Sequence, residues 1–161
     1  MRVVYLIQRE PAPPSRDGAP LVVAISDWDG VHCGHVALAR RAAELASAHD
    51  GHAAALLPWP SPAGADDTPA ARLTTLEERI ARLAALDCFE TLYILPSPPA
   101  PLDAEAALAW LRSLGNTQAL LGEPQRDGAV GQVWPVEITE ALWAAGIITS
   151  EQMAWDGVAG E

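Results

Sequence analysis

Apolar and polar positions along this chain come in blocks, and most blocks predict one element. Residues 3–7 form a short apolar run of strand character, and residues 9–19, rich in proline and charge, read as a loop. Leu21–Ile25 is an apolar, β-branched run, as in a buried strand. From Gly34 the apolar positions take helical spacing, which ends near Ala48 with Gly51 as the stop. His52–Leu57 predicts a strand, and Pro58–Pro69, broken by prolines and Gly64, a loop. Leu73–Leu86 predicts an amphipathic helix with a stripe of Leu76, Ile80, Leu83 and Ala84 or Leu86, and Thr74 with Glu77 fits a capping box at its start. Thr91–Leu95 reads as a strand and Pro96–Pro101 as a loop. Asp103 caps a helix over 104–114 that stops at Gly115-Asn116, and Gln118–Leu121 reads as a strand. Val133–Val136 reads as an edge strand because of Pro135, followed by short helices over 139–145 and 150–156. Strands alternating with helices predict an α/β fold, a doubly wound parallel sheet in a single domain spanning residues 1–161.

Composition narrows the function. Of 161 residues, 50% are hydrophobic, enough for a globular domain that buries roughly two thirds of its unfolded surface. No apolar run reaches about 18 residues, so a membrane span is not expected, and the N-terminal apolar stretch is too short for a signal peptide. A cytoplasmic setting follows as the expectation. The net charge of −11 argues against a nucleic-acid partner. The chain contains no lysine, which excludes a Walker P-loop and leaves phosphate chemistry to arginine, histidine, backbone N–H groups and a metal ion. Cys33 and Cys88 form no CxxC. His32, Cys33 and His35 are three ligand types within four residues, which rarely converge on one tetrahedral ion, so no metal site is expected and Cys33 reads as a small packing residue. Oligomeric state is left open.

The candidate chemistry lies in Leu21–His35, LVVAISDWDGVHCGH. His32 and His35 stand where a strand end meets a helix start, the place where parallel sheets bind ligands and where free helix amides favour anions. At such a junction the two histidines point to phosphate. Elsewhere in a protein one would read as a surface residue and the other as a satisfied core or capping group. Gly30 and Gly34 allow close backbone approach, as well as serving turn and helix start. Asp29 either orients the motif or caps the helix. Asp27 reads as a solvated turn residue rather than a Mg²⁺ ligand, and Trp28 as core.

D-G-V-H-C-G-H resembles the HxGH signature of the nucleotidyltransferase superfamily. With Arg72–Arg79, RLTTLEER, it resembles the adenylyltransferase module of bacterial FAD synthetase, which is usually joined to a riboflavin kinase module not visible in this sequence. The resemblance implies a Rossmann-like, HUP-type nucleotidyltransferase fold. It implies transfer of AMP from ATP, carried with Mg²⁺, to FMN, forming FAD and pyrophosphate. It assigns His32 and His35 as catalytic and places Ser26, Asp29, Gly30, Gly34, Glu123, Arg126 and Ser150 on the nucleotide. The partners it implies are a nucleotide and a flavin, beside the expectation from charge and hydropathy of no nucleic acid and no membrane. Helix capping accounts for RLTTLEER without a catalytic role. Three stretches depart from the family pattern. Trp59 and Ser61 replace the glutamate and histidine of F-E-P-H-P. Glu123, Arg126 and Gly128 keep G-E-D-F-R-F-G, while Gln125 and Asp127 lose its aromatics. Ser150 and Met153 keep part of I-S-S-T-x-I-R, while Glu151 and Ala154 replace a hydroxyl and an arginine. These departures leave two alternatives: a non-catalytic nucleotide- or flavin-binding protein on the same fold, or a nucleotidyltransferase with another phosphorylated acceptor.

Overall fold

Among the described residues, strand β2 (Pro20–Ile25) lies in the middle of a sheet of six strands, and every pairing is parallel. The computed structural model describes residues 1–6, 18–58, 72–95, 104–122 and 136–149. The other strands are β1 (Arg2–Tyr5), β3 (His52–Pro58), β4 (Thr91–Leu95), β5 (Asn116–Gly122) and β6 (Ile148–Thr149). The helices are α1 (Cys33–Ala48), α2 (Leu76–Ala85), α3 (Ala104–Leu114) and α4 (Val136–Ala144). The order across the sheet is β1-β4-β3-β2-β5-β6. The chain runs outward from β2 through β3 to β4, then returns to pair β5 against the other side of β2. Strand order therefore reverses between β2 and β5, the switch point at which such sheets bind ligands. Ile25 and Gly122 are register partners there, so both strands end at the same level.

Alternation along β2 builds a core on both faces. Leu21, Val23 and Ile25 join Leu111 and Leu114 of α3 and Leu142 of α4 in one cluster. Val22 and Ala24 join Ala39, Ala42 and Ala46 of α1 and Leu83 of α2 in the other. Alanine predominates where α1 meets Ala53 and Ala55 of β3, which lets helix and sheet approach closely.

Several boundaries differ from the sequence pattern. α1 ends in a Schellman motif: the Asp50 N–H donates to the Ser47 carbonyl at 3.2 Å and the Gly51 N–H to the Ala46 carbonyl at 2.8 Å. The left-handed residue is Asp50 at φ 53, not Gly51. Gly51 is needed because a Cβ there would collide with the Pro20 carbonyl. α2 begins three residues later than its apolar pattern, and its capping box is Thr75 with Glu78 rather than Thr74 with Glu77. Ala84 is exposed, so Leu86 completes the stripe. Val136 opens α4 instead of closing an edge strand, and the sixth strand is the two-residue β6. Residues 133–135, the helix expected over 150–156, Asp103 and Ile7 lie outside the described residues. Among the described residues, no helix is long and apolar enough to cross a membrane.

Candidate active site

After Ile25 the chain folds into a loop in which three residues have left-handed backbone. Trp28 (φ 55), Gly30 (φ 71) and Val31 (φ 44) all have positive φ, and Asp29–Val31 forms a short 3-10 turn. Two of these three carry side chains that rarely adopt such angles, at a cost of order 1–3 kcal/mol each, so the surroundings must enforce them. Trp28 does so from below. It is fully buried, as its apolar character suggests, its indole N–H donates to the Leu56 carbonyl at 3.0 Å, and its ring meets Phe89 edge-on at 5.5 Å.

The loop is also held from α2. The Asp29 carboxylate accepts from the N–H groups of Leu73 (2.9 Å) and Thr74 (3.0 Å) and from the Thr74 hydroxyl (2.7 Å). The Thr74 oxygen in turn accepts from the Gly30 N–H at 3.2 Å and from Arg79 Nε at 3.1 Å, so its one donor and two acceptor sites are all used. Arg79 has 0% exposure. Its Nη1 donates to the Asp27 carbonyl at 2.8 Å, and its Nη2 lies 2.8 Å from the Asp29 carboxylate and donates to the Thr74 carbonyl at 3.3 Å. Burial pushes the Asp29 carboxyl up, but the Leu73 N–H, the Thr74 hydroxyl, the Arg79 charge and the Thr74 N–H together hold it below its ordinary value. Asp29 thus orients the motif and does not cap α1. RLTTLEER is more than a capping sequence, because Thr74 and Arg79 pin the loop while Thr75 and Glu78 do the capping. An arginine at position 79, on the same face as Leu76 and Leu83, is the signal that marks this buried charge.

The two histidines occupy different environments. His32 is exposed and is the N-cap of α1, its Nδ1 accepting from the Gly34 N–H at 3.2 Å. A Cβ at Gly34 would meet the His32 ring at 3.1 Å, so the glycine lets that ring fold back over the helix start. Gly30 has a second constraint besides its φ, since a Cβ there would meet Leu73 Cδ1 at 3.2 Å. His35 is only 1% exposed. Its Nε2 lies 2.9 Å from the Ser26 hydroxyl and 3.5 Å from the Asp27 carboxylate. The two rings stack at 3.8 Å between centroids, 18° from parallel. Ser26 is buried and also accepts from the Trp28 N–H at 3.4 Å. Asp27, 43% exposed, is not simply a solvated turn residue. Its carboxylate accepts from the Asp29 N–H at 3.0 Å, and the bond to the His35 ring is the largest influence holding it below its ordinary value. Cys33 is exposed at the first turn of α1 and packs in no core.

The structure therefore gathers Ser26, Asp29, Gly30, His32, Gly34 and His35 around the switch point and adds Asp27, Thr74 and Arg79. Glu123, Arg126 and Ser150 lie outside the described residues, as do Trp59, Ser61, Gln125, Asp127, Gly128, Glu151, Met153 and Ala154. Among the described residues, no group of three or more His, Cys, Asp or Glu side chains is placed to hold a metal ion.

Comparison with known proteins agrees with this architecture. A crystal structure of a macrolide-efflux protein from Streptococcus pneumoniae aligns with a TM-score of 0.60 at 24% identity, over 75% of this chain and 42% of that one. The chain thus spans less than half of that protein's length, and the likeness speaks for the α/β fold alone. No curated protein matches. The family described as FAD synthetase matches residues 15–97. That match runs through β2, the motif loop, α1, β3, α2 and β4, more than half of the 161 residues, and the chain therefore belongs to the FAD synthetase family.

Proposed function

We propose that the protein transfers the adenylyl group of Mg-ATP to the phosphate of FMN, giving FAD and pyrophosphate, with residues 1–161 acting as one nucleotidyltransferase unit in the cytoplasm. The observation that carries this reading is the placement of His32. Its Nδ1 is committed as acceptor to the Gly34 N–H, so the neutral ring carries its proton on Nε2. The His32 ring lies at the N-terminus of α1, beside the switch point, where the helix dipole favours an anion. No acidic residue stands in the first turn of α1 to fill that place.

The reaction asks for positioning and charge stabilisation more than covalent help. An FMN phosphate oxygen attacks the α-phosphorus of ATP, the bond from that phosphorus to the β-bridging oxygen breaks, and pyrophosphate leaves with the electron pair. His32 donates a hydrogen bond to the phosphate oxygens as negative charge moves onto them. Trp28, Asp29, Thr74 and Arg79 keep the loop from relaxing as it does so.

The test is direct. Purified protein incubated with Mg-ATP and FMN should form FAD, resolved from FMN by chromatography, with one pyrophosphate released per FAD. Trp59 and Ser61, which replace the family's glutamate and histidine, favour a second reading in which another phosphorylated compound is the acceptor. Pyrophosphate release with that compound, without FAD formation, would select it. Nucleotide binding with no turnover on any acceptor would select a binding protein, the reading favoured by Glu151 and Ala154.

A further inference from the structure

We propose that Asp27 is this chain's own ligand for the magnesium ion of Mg-ATP, binding it directly through Oδ2. The inference rests on the adenylyl-transfer reading and adds a metal contact to that site.

Two carboxylates stand on the motif loop, and only one has an oxygen to spare. Both Asp29 oxygens are used, Oδ2 by the Leu73 N–H and Oδ1 by Thr74 and Arg79. Asp27 uses Oδ1 alone, which accepts from the Asp29 N–H at 3.0 Å and lies 3.5 Å from His35 Nε2. Among the described residues nothing donates to its Oδ2, and the side chain is 43% exposed. The group is held in place at both ends, since Arg79 Nη1 fixes the Asp27 carbonyl. It follows directly on the end of β2 at the switch point, against the histidine pair. The bond to the His35 ring leads the influences that keep it below its ordinary value, so it is ionised at neutral pH. A fixed anion and a triphosphate repel each other, and a chain of net charge −11 without lysine has no ammonium group to set between them. A divalent cation removes the conflict. Magnesium in nucleotide sites keeps several waters and takes one or two carboxylates together with phosphate oxygens. One carboxylate oxygen therefore suffices, although no cage of three or more acids, histidines or cysteines exists among the described residues.

Calorimetry on the full chain reads the metal through ATP affinity, with no turnover needed. Mg²⁺ should tighten ATP binding to wild type, and in Asp27→Asn that enhancement should fall about tenfold or more. In EDTA, without metal, Asp27→Asn should bind ATP as well as wild type or up to about threefold tighter, because the anion is gone. An unchanged Mg²⁺ enhancement would overturn the proposal. So would a loss as large in EDTA as with Mg²⁺, which would make Asp27 a structural support and no ligand. A second variant looks for a gain. With Cys33→Ser in both proteins to remove the nearby thiol, Asp27→Cys should favour Cd²⁺ over Mg²⁺ in ATP binding about tenfold more than the protein with Asp27 does, since a thiolate prefers the softer ion. An unaltered metal preference would contradict direct ligation. ATP that binds wild type neither with nor without Mg²⁺ would remove the adenylyl-transfer reading itself, whereas ATP binding whose metal dependence ignores Asp27 would remove only this one.

Discussion

Two helices start beside the motif loop, and their N-termini are finished in opposite ways. α2 closes its own. Thr75 and Glu78 satisfy each other's backbone in a full capping box, with Glu77 and Glu78 supplying negative charge in the first turn. α1 has only the His32 ring as cap, at 3.2 Å, and no acid in its first turn. The helix dipole makes both ends attractive to anions, but α2 fills its end with its own glutamates, whereas α1 has no acid in its first turn and only Asp27 near its edge. α2 is therefore an anchor, tied to the loop through Thr74 and Arg79, and α1 is the end presented to a ligand. An exposed imidazole cap is suited to that second role, while the carboxylates at α2 exclude it.

The anchor should fail hardest. Arg79→Met leaves the Asp29 carboxylate without its counter-charge and releases the Asp27 carbonyl. Removing one partner of a buried pair costs about 3–5 kcal/mol, read as a lower urea midpoint. Arg41→Ala, which breaks the exposed 3.5 Å pair with Glu44, should change stability by no more than about 0.5 kcal/mol. Equal effects would mean that the α2 clamp is not what holds the loop.

The next contrast separates ligand from anchor. His32→Ala should cut adenylyl transfer about 10²–10³-fold, the loss typical of a preorganised donor. Thr75→Ala should cost about 1 kcal/mol of stability and leave turnover of the folded protein unchanged. A Thr75→Ala variant as inactive as His32→Ala would erase the distinction between the two helix ends.

Acid titration gives the smallest effect. Asp29 and Asp27 are held below the ordinary carboxylate value in the fold. The folded state then binds fewer protons than the unfolded chain as pH falls through the carboxylate range. The stabilisation is complete above the unfolded value, near pH 4, and is lost as pH drops through the lower folded values. Asp29→Asn should be less stable than wild type at neutral pH, and the gap should shrink as the pH falls below the ordinary carboxylate value. A gap independent of pH would show that the Asp29 charge contributes nothing.

The sheet, the junction and the identity of the loop were legible because each rests on a local signal: β-branched runs, glycine punctuation, helical spacing. What escaped involves partners distant in sequence. Thr-Thr-Leu-Glu-Glu contains two overlapping capping frames, Thr74 with Glu77 and Thr75 with Glu78. Only Asp29, some 45 residues away, decides between them by taking the Thr74 hydroxyl. The burial of His35 did have a signal. It shares one helix face with Ala39, Ala42 and Ala46, all buried, a spacing that places its ring inward and leaves His32 as the exposed partner. The two-residue β6 exists through its pairing with β5, and no pattern that short can be told from a turn.

The most direct test of the contrast between the helix ends is an amide-resolved NMR titration with Mg-ATP. The largest shifts should fall on Asp29 to Val36, with Leu76 to Arg79 nearly unmoved. Shifts centred on the first turn of α2, or spread evenly over both helix ends, would contradict the assignment of α1 as the phosphate site.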